Sequence, residues 1–334
     1  MKTSILCTSP FGAEIIRREK YADFVPTIFS DLVFTPIPSE GEGFDFYDNQ
    51  IALFKTHNLK GYGYYGSKPY LNFFRSIFKR LEACERIELW IEPGLNSHIY
   101  SFHLLTLMSQ IPDIEKKLFI NQTSEFVALM NGKMLKEARP NLEPVTLDYF
   151  AEAAIYWEAF RSHTPIKWVD LLYKPSSCFP LFGQLQKRFI LQLPLAPTGL
   201  RLIDRQILNH ISMGIQKTSL VLGHTLANQI DDIHLLSEMA IATSIYALIC
   251  APKPAIDGVV FETFDYYSQS KTNKLRLKRF MNSQLKLTLF GERLLKGEGN
   301  WLEENKINYW WGGTHITNDN YWSFDPKAVT LISP

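Results

Sequence analysis

Arg86-Ile87-Glu88-Leu89-Trp90-Ile91 is the stretch whose reading decides the fold. It is an apolar, strand-length run; residues 96–110 after it read as a helix, and Lys117 to Asn121 reads as a strand again. Working outward towards the N-terminus, Ser4-Ile5-Leu6-Cys7 is a short β-type run. Ser9-Pro10 then starts a helix that runs through Arg18, with Ser able to cap and Pro at the first helical position. Thr27 to Phe34 is a further strand candidate, halted by Pro36 and Pro38. Tyr70 to Glu82 places Phe73, Phe74, Ile77, Phe78 and Leu81 at helical spacing. Strands alternating with helices imply a mostly parallel sheet with helices on its faces, so residues 1–130 are expected to form a Rossmann-like α/β domain.

Beyond about residue 146 the pattern turns helical. Thr146 is a candidate cap for a helix carrying Tyr149, Phe150, Ala153, Tyr156, Trp157 and Phe160. Further helices are expected at 165–173, 179–192, 203–213, 217–229 and 234–250, with a Pro-Gly break over Leu193 to Gly199. A strand at Val259 to Phe264, a basic helix near 268–282, a strand at Lys286 to Leu289 and an aromatic tail complete the chain. The fold class expected is α/β plus α. Residues 131–198 form a helical connecting region, and 199–334 a winged-helix-like domain with a Trp-rich tail.

Composition sets limits on function. Lys and Arg number 35 against 34 Asp and Glu, a formal net charge of +1, so no general attraction for polyanions is expected. No apolar run reaches the length of a membrane span, and the N-terminal residues lack the apolar core of a secretory signal. Cys7, Cys84, Cys178 and Cys250 lie far apart, without metal-type spacing. They read as reduced thiols of a cytoplasmic protein.

Several motifs together carry a resemblance. They are Phe29-Ser30-Asp31-Leu32-Val33-Phe34-Thr35-Pro36-Ile37, Ile87-Glu88-Leu89-Trp90 with Leu104, Leu105 and Leu107, and Trp157-Glu158-Ala159-Phe160-Arg161-Ser162. Pro194, Gly199-Leu200, Asp204-Arg205-Gln206 and Leu208 follow, and Trp310-Trp311-Gly312-Gly313-Thr314-His315-Ile316 with Trp322 and Asp325-Pro326 closes the set. On these residues the chain resembles the bacterial family catalogued as domain of unknown function 1835, in its long form with a helical C-terminal region. The resemblance implies a fold rather than an activity. The chain departs from the family where Cys7-Thr8-Ser9 stands in place of Gly-Asp-Ser and Thr35-Pro36 in place of Gly-Pro.

Three places could carry function. Thr8, Ser9 and Gly12 join a strand to a helix N-terminus, where free N–H groups favour an anion. Asp31 and Glu92-Pro93-Gly94 are expected on the same rim, so a nucleotide or other phosphorylated small molecule could bind there. No P-loop or GxGxxG accompanies them. Lys271, Lys274, Arg276, Lys278 and Arg279 form the second place, a basic patch without an acid between Asp265 and Glu292 that suits nucleic acid or a protein partner. Against base reading, the helix expected at His234 to Cys250 carries neither Lys nor Arg. Trp310, Trp311 and His315 are the third, either a core seal or an aromatic-rimmed pocket. The Gly-Tyr alternation over Lys60 to Gly66 suits a binding loop or a mobile connection. No histidine pair, GxSxG elbow or Asp231-Asp232-His234 ligand set assembles a catalytic or metal centre, so no cofactor is expected. The leading expectation is a cytoplasmic binding or regulatory protein acting through protein or weak nucleic-acid contacts. The alternative is an enzyme or sensor for a phosphorylated ligand at the Thr8–Gly12 edge.

Overall fold

The computed structural model describes residues 2–28, 31–33, 35–56, 68–174, 176–231, 236–262 and 270–334. The chain divides into two compact units. The first is Met1–Leu185 with Gly312–Thr314, and the second is Gln186–Trp311 with His315–Pro334. Residues 131–185 of the expected connecting region therefore fall in the first unit and 186–198 in the second.

The first unit follows the order β1 (Thr3–Cys7), α1 (Pro10–Arg18), α2 (Asp45–Thr56), α3 (Lys68–Glu82), β2 (Arg86–Ile91), α4 (Leu95–Met108) and β3 (Leu118–Gln122). It continues with α5 (Gly132–Ala138), β4 (Glu143–Pro144), α6 (Leu147–Phe160) and α7 (Ile166–Leu171), and α8 (Phe182–Ile190) crosses into the second unit. The sheet is four-stranded in the order β1-β2-β3-β4. β1, β2 and β3 are parallel, as the alternation predicts, and β4 is antiparallel. Register places Cys7 opposite Trp90 and Ile5 opposite Glu88, so these four side chains share one face. Ile5, Cys7 and Trp90 pack there on Ala13 and Ile16 of α1, with Val127 and Leu135.

A buried charge ties this face together. Glu88 has no exposed side-chain surface, and its carboxylate accepts from Arg86 Nε at 2.9 Å, Trp90 Nε1 at 3.1 Å and Arg139 at 3.0 Å. A carboxylate out of water needs such partners, because burying an unpaired charge is strongly unfavourable.

The expected strand over Thr27 to Phe34 is corrected. Its described residues form no strand, and the free edge of β1 is taken instead by the segment just before it, where Ile5 N–H bonds Phe24 O at 3.0 Å. Ile28, Leu32 and Val33 are buried all the same, so the apolar pattern serves packing rather than a ladder. Helix α2 lies between Pro38 and Tyr70, where no sequence pattern predicts an element. It buries Phe46, Tyr47 and Phe54, and Tyr47 OH meets His103 Nε2 of α4 at 2.9 Å. Thr146 holds the N-cap position of α6 with extended backbone, but its side chain makes no cap bond.

The second unit contains α9 (Leu202–Ser212), α10 (Thr218–Asp231), α11 (Glu238–Cys250), β5 (Ile256–Asp257), α12 (Lys271–Met281), β6 (Lys286–Leu287), α13 (Leu289–Lys296) and α14 (Trp301–Glu304). Two small sheets end the chain, β7 (Asn308–Trp311) with β8 (Thr314–Thr317), and β9 (Ser323–Asp325) with β10 (Thr330–Ile332). The strand expected at Val259 to Phe264 is also corrected. Residues 259–262 are irregular, and Ile256–Asp257 pairs antiparallel with Lys286–Leu287 instead. Lys217 bridges Gln284 antiparallel beside it. Arg201 joins three elements of this unit. Its guanidinium forks onto Asp204 through two bonds of 2.8 Å, reaches Ser244 Oγ of α11 at 3.0 Å, and lies 4.8 Å from the Tyr309 ring centroid. Among the described residues no helix is long and apolar enough to cross a membrane.

Candidate functional site

The carboxyl edge of the parallel strands is where ligands of such sheets bind, so it is built first. Thr8 follows β1 and is consumed by structure. Its N–H and Oγ1–H both reach Trp90 O, at 3.1 and 3.2 Å, and its Oγ1 accepts Glu92 N–H at 3.3 Å. Ser9 is the N-cap of α1, as its sequence predicts, and accepts Gly12 N–H at 3.0 Å. Its hydroxyl oxygen and Glu92 Oε1 both approach Gly12, each 2.9 Å from where a Cβ would stand.

Glu92 is the residue that determines what this edge can do. It stands just past β2, is 2% exposed, and accepts Val127 N–H at 2.8 Å. Burial pushes this group above the usual carboxylate range, while Ser9 and the Val127 and Ala128 N–H groups pull it back. The Cys7 thiol beside it is pushed far up by burial, then by the nearby Glu92 charge, so it stays a neutral thiol. Gly12 lets the three side chains meet the helix. A Cβ there would stand 2.5 Å from Cys7 Sγ and 2.9 Å from both Glu92 Oε1 and Ser9 Oγ. The space beside the start of α1 is therefore already taken by the protein's own Glu92 carboxyl, held by Val127 N–H.

Asp31 stands with the start of α4, where Leu32 N–H donates to Asn96 Oδ1 at 2.8 Å and Asp31 O accepts Thr35 Oγ1 at 2.7 Å. In the first turn of α4, His98 bonds Gly94 O through Nδ1 at 2.9 Å and lies near the Phe182 ring. Burial lowers it to about 4, so it is neutral at physiological pH. His103 is lowered to about 3 by burial and by Arg161. Among the described residues no group of three or more His, Cys, Asp and Glu could hold a metal ion. Lys60 to Gly66 lies outside the described residues, as do Asp232 and His234.

The tail residues separate. Trp311 is buried, stacked on Phe189 at 4.3 Å, with its Nε1–H on Phe189 O at 3.0 Å. Trp310 is half-buried and stacks on His315 at 4.5 Å. Gly313 belongs to the first unit, where a Cβ would stand 2.1 Å from Arg161 O, so only glycine fits.

The basic patch is a real helix face. Ser270 caps α12 by accepting Asn273 N–H at 3.2 Å, and Asn273 and Phe280 are its buried side. At about 3.6 residues per turn, Lys271, Lys274, Leu275 and Lys278 line the opposite side, with Arg279 beside them. All five are exposed, whereas Arg276 is half-buried. Beside this face lies an open groove of about 470 Å³ lined by Val259, Leu275, Lys278, Arg279, Asn282 and Ser283. The basic residues were legible from sequence. The groove was not, because Val259 and Leu275 come to line one groove only through the fold.

No family model matches the chain, and no curated protein is similar to it.

Proposed function

We propose that this is a non-catalytic, cytoplasmic binding protein whose C-terminal unit follows a winged-helix plan and engages an anionic partner through α12. Kinship with the family of domain of unknown function 1835 is part of the proposal and rests on the motifs quoted above. Support for the plan comes from chain order. Helices α9, α10 and α11 are followed by β5 and β6, and the bridge at Lys217, between α9 and α10, pairs beside β6. Helix α12 then occupies the segment between β5 and β6, where a wing would stand.

The observation that carries the function is the exposed cationic face formed by Lys271, Lys274, Lys278 and Arg279. The exposed positions of α11 are Glu238, Thr243, Ala247 and Cys250, none of them a cation. That argues against reading bases in a major groove, which needs Arg, Lys, Asn or Gln at the base edges. A small phosphorylated ligand at the N-terminal strand–helix edge is the weaker reading, because the buried Glu92 carboxyl already packs against Gly12 at the start of α1.

The test uses a short DNA duplex as an anion of known charge density. If the four cations of α12 engage it together, log affinity should fall with log salt at a slope of about −3.6. Replacing Lys271, Lys274, Lys278 and Arg279 with Ala together should bring the slope close to zero. An unchanged slope in that variant would falsify the reading.

A further inference from the structure

We propose that the groove beside α12 docks an acidic peptide segment of a protein partner, anchored by an apolar side chain. The inference rests on the reading of α12 as the working surface, and it names the class of partner. The groove combines two chemistries. Val259 and Leu275 give it an apolar floor, and Lys278 and Arg279 give it a cationic rim. Leu275 is 62% exposed in the middle of the basic face, and Val260, next to Val259 in the chain, is 61% exposed. The Arg279 guanidinium lies 5.9 Å from the Phe261 ring centroid.

A phosphate backbone would use the cations and leave the apolar floor wet. Single-stranded nucleic acid would call for aromatic side chains on which bases stack, and among the described residues none that lines the groove is aromatic. An acidic segment bearing a leucine-like side chain matches both parts. Its carboxylates meet Lys271, Lys274, Lys278 and Arg279, and its apolar side chain removes Leu275 and Val259 from water. Charge alone would not need Leu275. An apolar residue at the centre of a cationic helix face is accounted for by a partner that covers it.

The experiment measures fluorescence anisotropy on the full chain with three probes. These are a short Glu-rich peptide with a central Leu pair, the same peptide with Ser in place of Leu, and a short DNA duplex. Wild-type protein is expected to bind the Leu peptide about tenfold more tightly than the Ser peptide, which corresponds to about 1.4 kcal/mol. In Leu275→Ser, a surface change that should leave the thermal midpoint in place, the two peptides should bind alike. Equal binding of both peptides to wild type, or tighter binding of the duplex than of the Leu peptide, overturns the partner assigned here and leaves the charge reading of α12 standing. A double variant, Lys278→Ala with Arg279→Ala, that binds all three probes as wild type does would overturn the α12 reading itself.

Discussion

Replacing Gly12 with Ala tests the closed edge of the first unit directly. In an ordinary exposed helix position the change would stabilise by up to about 1 kcal/mol, because alanine has the better helix propensity. Here the new methyl would meet Cys7 Sγ at 2.5 Å, Glu92 Oε1 at 2.9 Å and Ser9 Oγ at 2.9 Å. None of the three is free to swing aside. Cys7 lies in the buried face of the sheet, Ser9 is held as the cap, and Glu92 is held by Val127 N–H. Restoring an ordinary contact of about 3.5 Å to the sulfur moves α1 outward by about 1 Å. Overpacking of this kind costs about 1–3 kcal/mol, and a loosened cap adds part of another 0.5–2 kcal/mol or so. The net is a destabilisation of about 2 kcal/mol, or a midpoint lower by roughly 4–8 °C. Thermal and urea unfolding of wild type, Gly12→Ala, Cys7→Ala and the double variant form the assay. Removing the sulfur should recover about 1 kcal/mol in the double variant through coupling of adjacent sites. A Gly12→Ala protein more stable than wild type would refute the close packing and reopen the edge as an accessible ligand site.

Other substitutions probe the remaining features. Burial raises the Glu92 carboxyl, so the folded protein holds that proton more tightly than the unfolded chain. The stability this group contributes is present in full below its unfolded value and is lost as pH rises through its folded one. Glu92→Gln keeps an acceptor for Val127 N–H without the charge, so urea midpoints should fall less for the variant than for wild type as pH rises above the ordinary carboxylate range. A steeper fall in the variant would contradict that sign. Glu88→Ala leaves Arg86 and the Trp90 N–H facing a dry void and should destabilise by about 3–5 kcal/mol, seen as a lower urea midpoint; a change below about 1 kcal/mol would mean that water already reaches the cluster. Trp311→Ala removes the stack on Phe189 and the bond to its carbonyl and should cost about 3–5 kcal/mol, read as lower thermal stability of the second unit, whereas a near-neutral result would deny that Trp311 is core.

The sequence by itself determined the elements whose signals are local. Strand β2 with α4 and β3, the Ser9 cap with Pro10, and the cationic face of α12 all follow from residues within a few positions of one another. Periodicity and capping act over one or two turns, so they can be read from the chain alone. Tertiary structure decided the rest. Residues 27–34 have a strand-like composition, yet the one open ladder position beside β1 went to Phe24, and no local pattern records that competition. Helix α2 became a helix where its aromatic residues could be buried, with Tyr47 against His103 from α4. Glu92 reads as a rim residue available to a ligand. It became a buried internal acceptor only when Val127, thirty-five positions further on, brought its N–H to the carboxyl. The groove beside α12 likewise needs Val259 and Leu275, sixteen positions apart, to line one surface. In each case the outcome was set by which distant groups left water together, a choice made by burial and hydrogen-bond satisfaction across the fold rather than by neighbours along the chain.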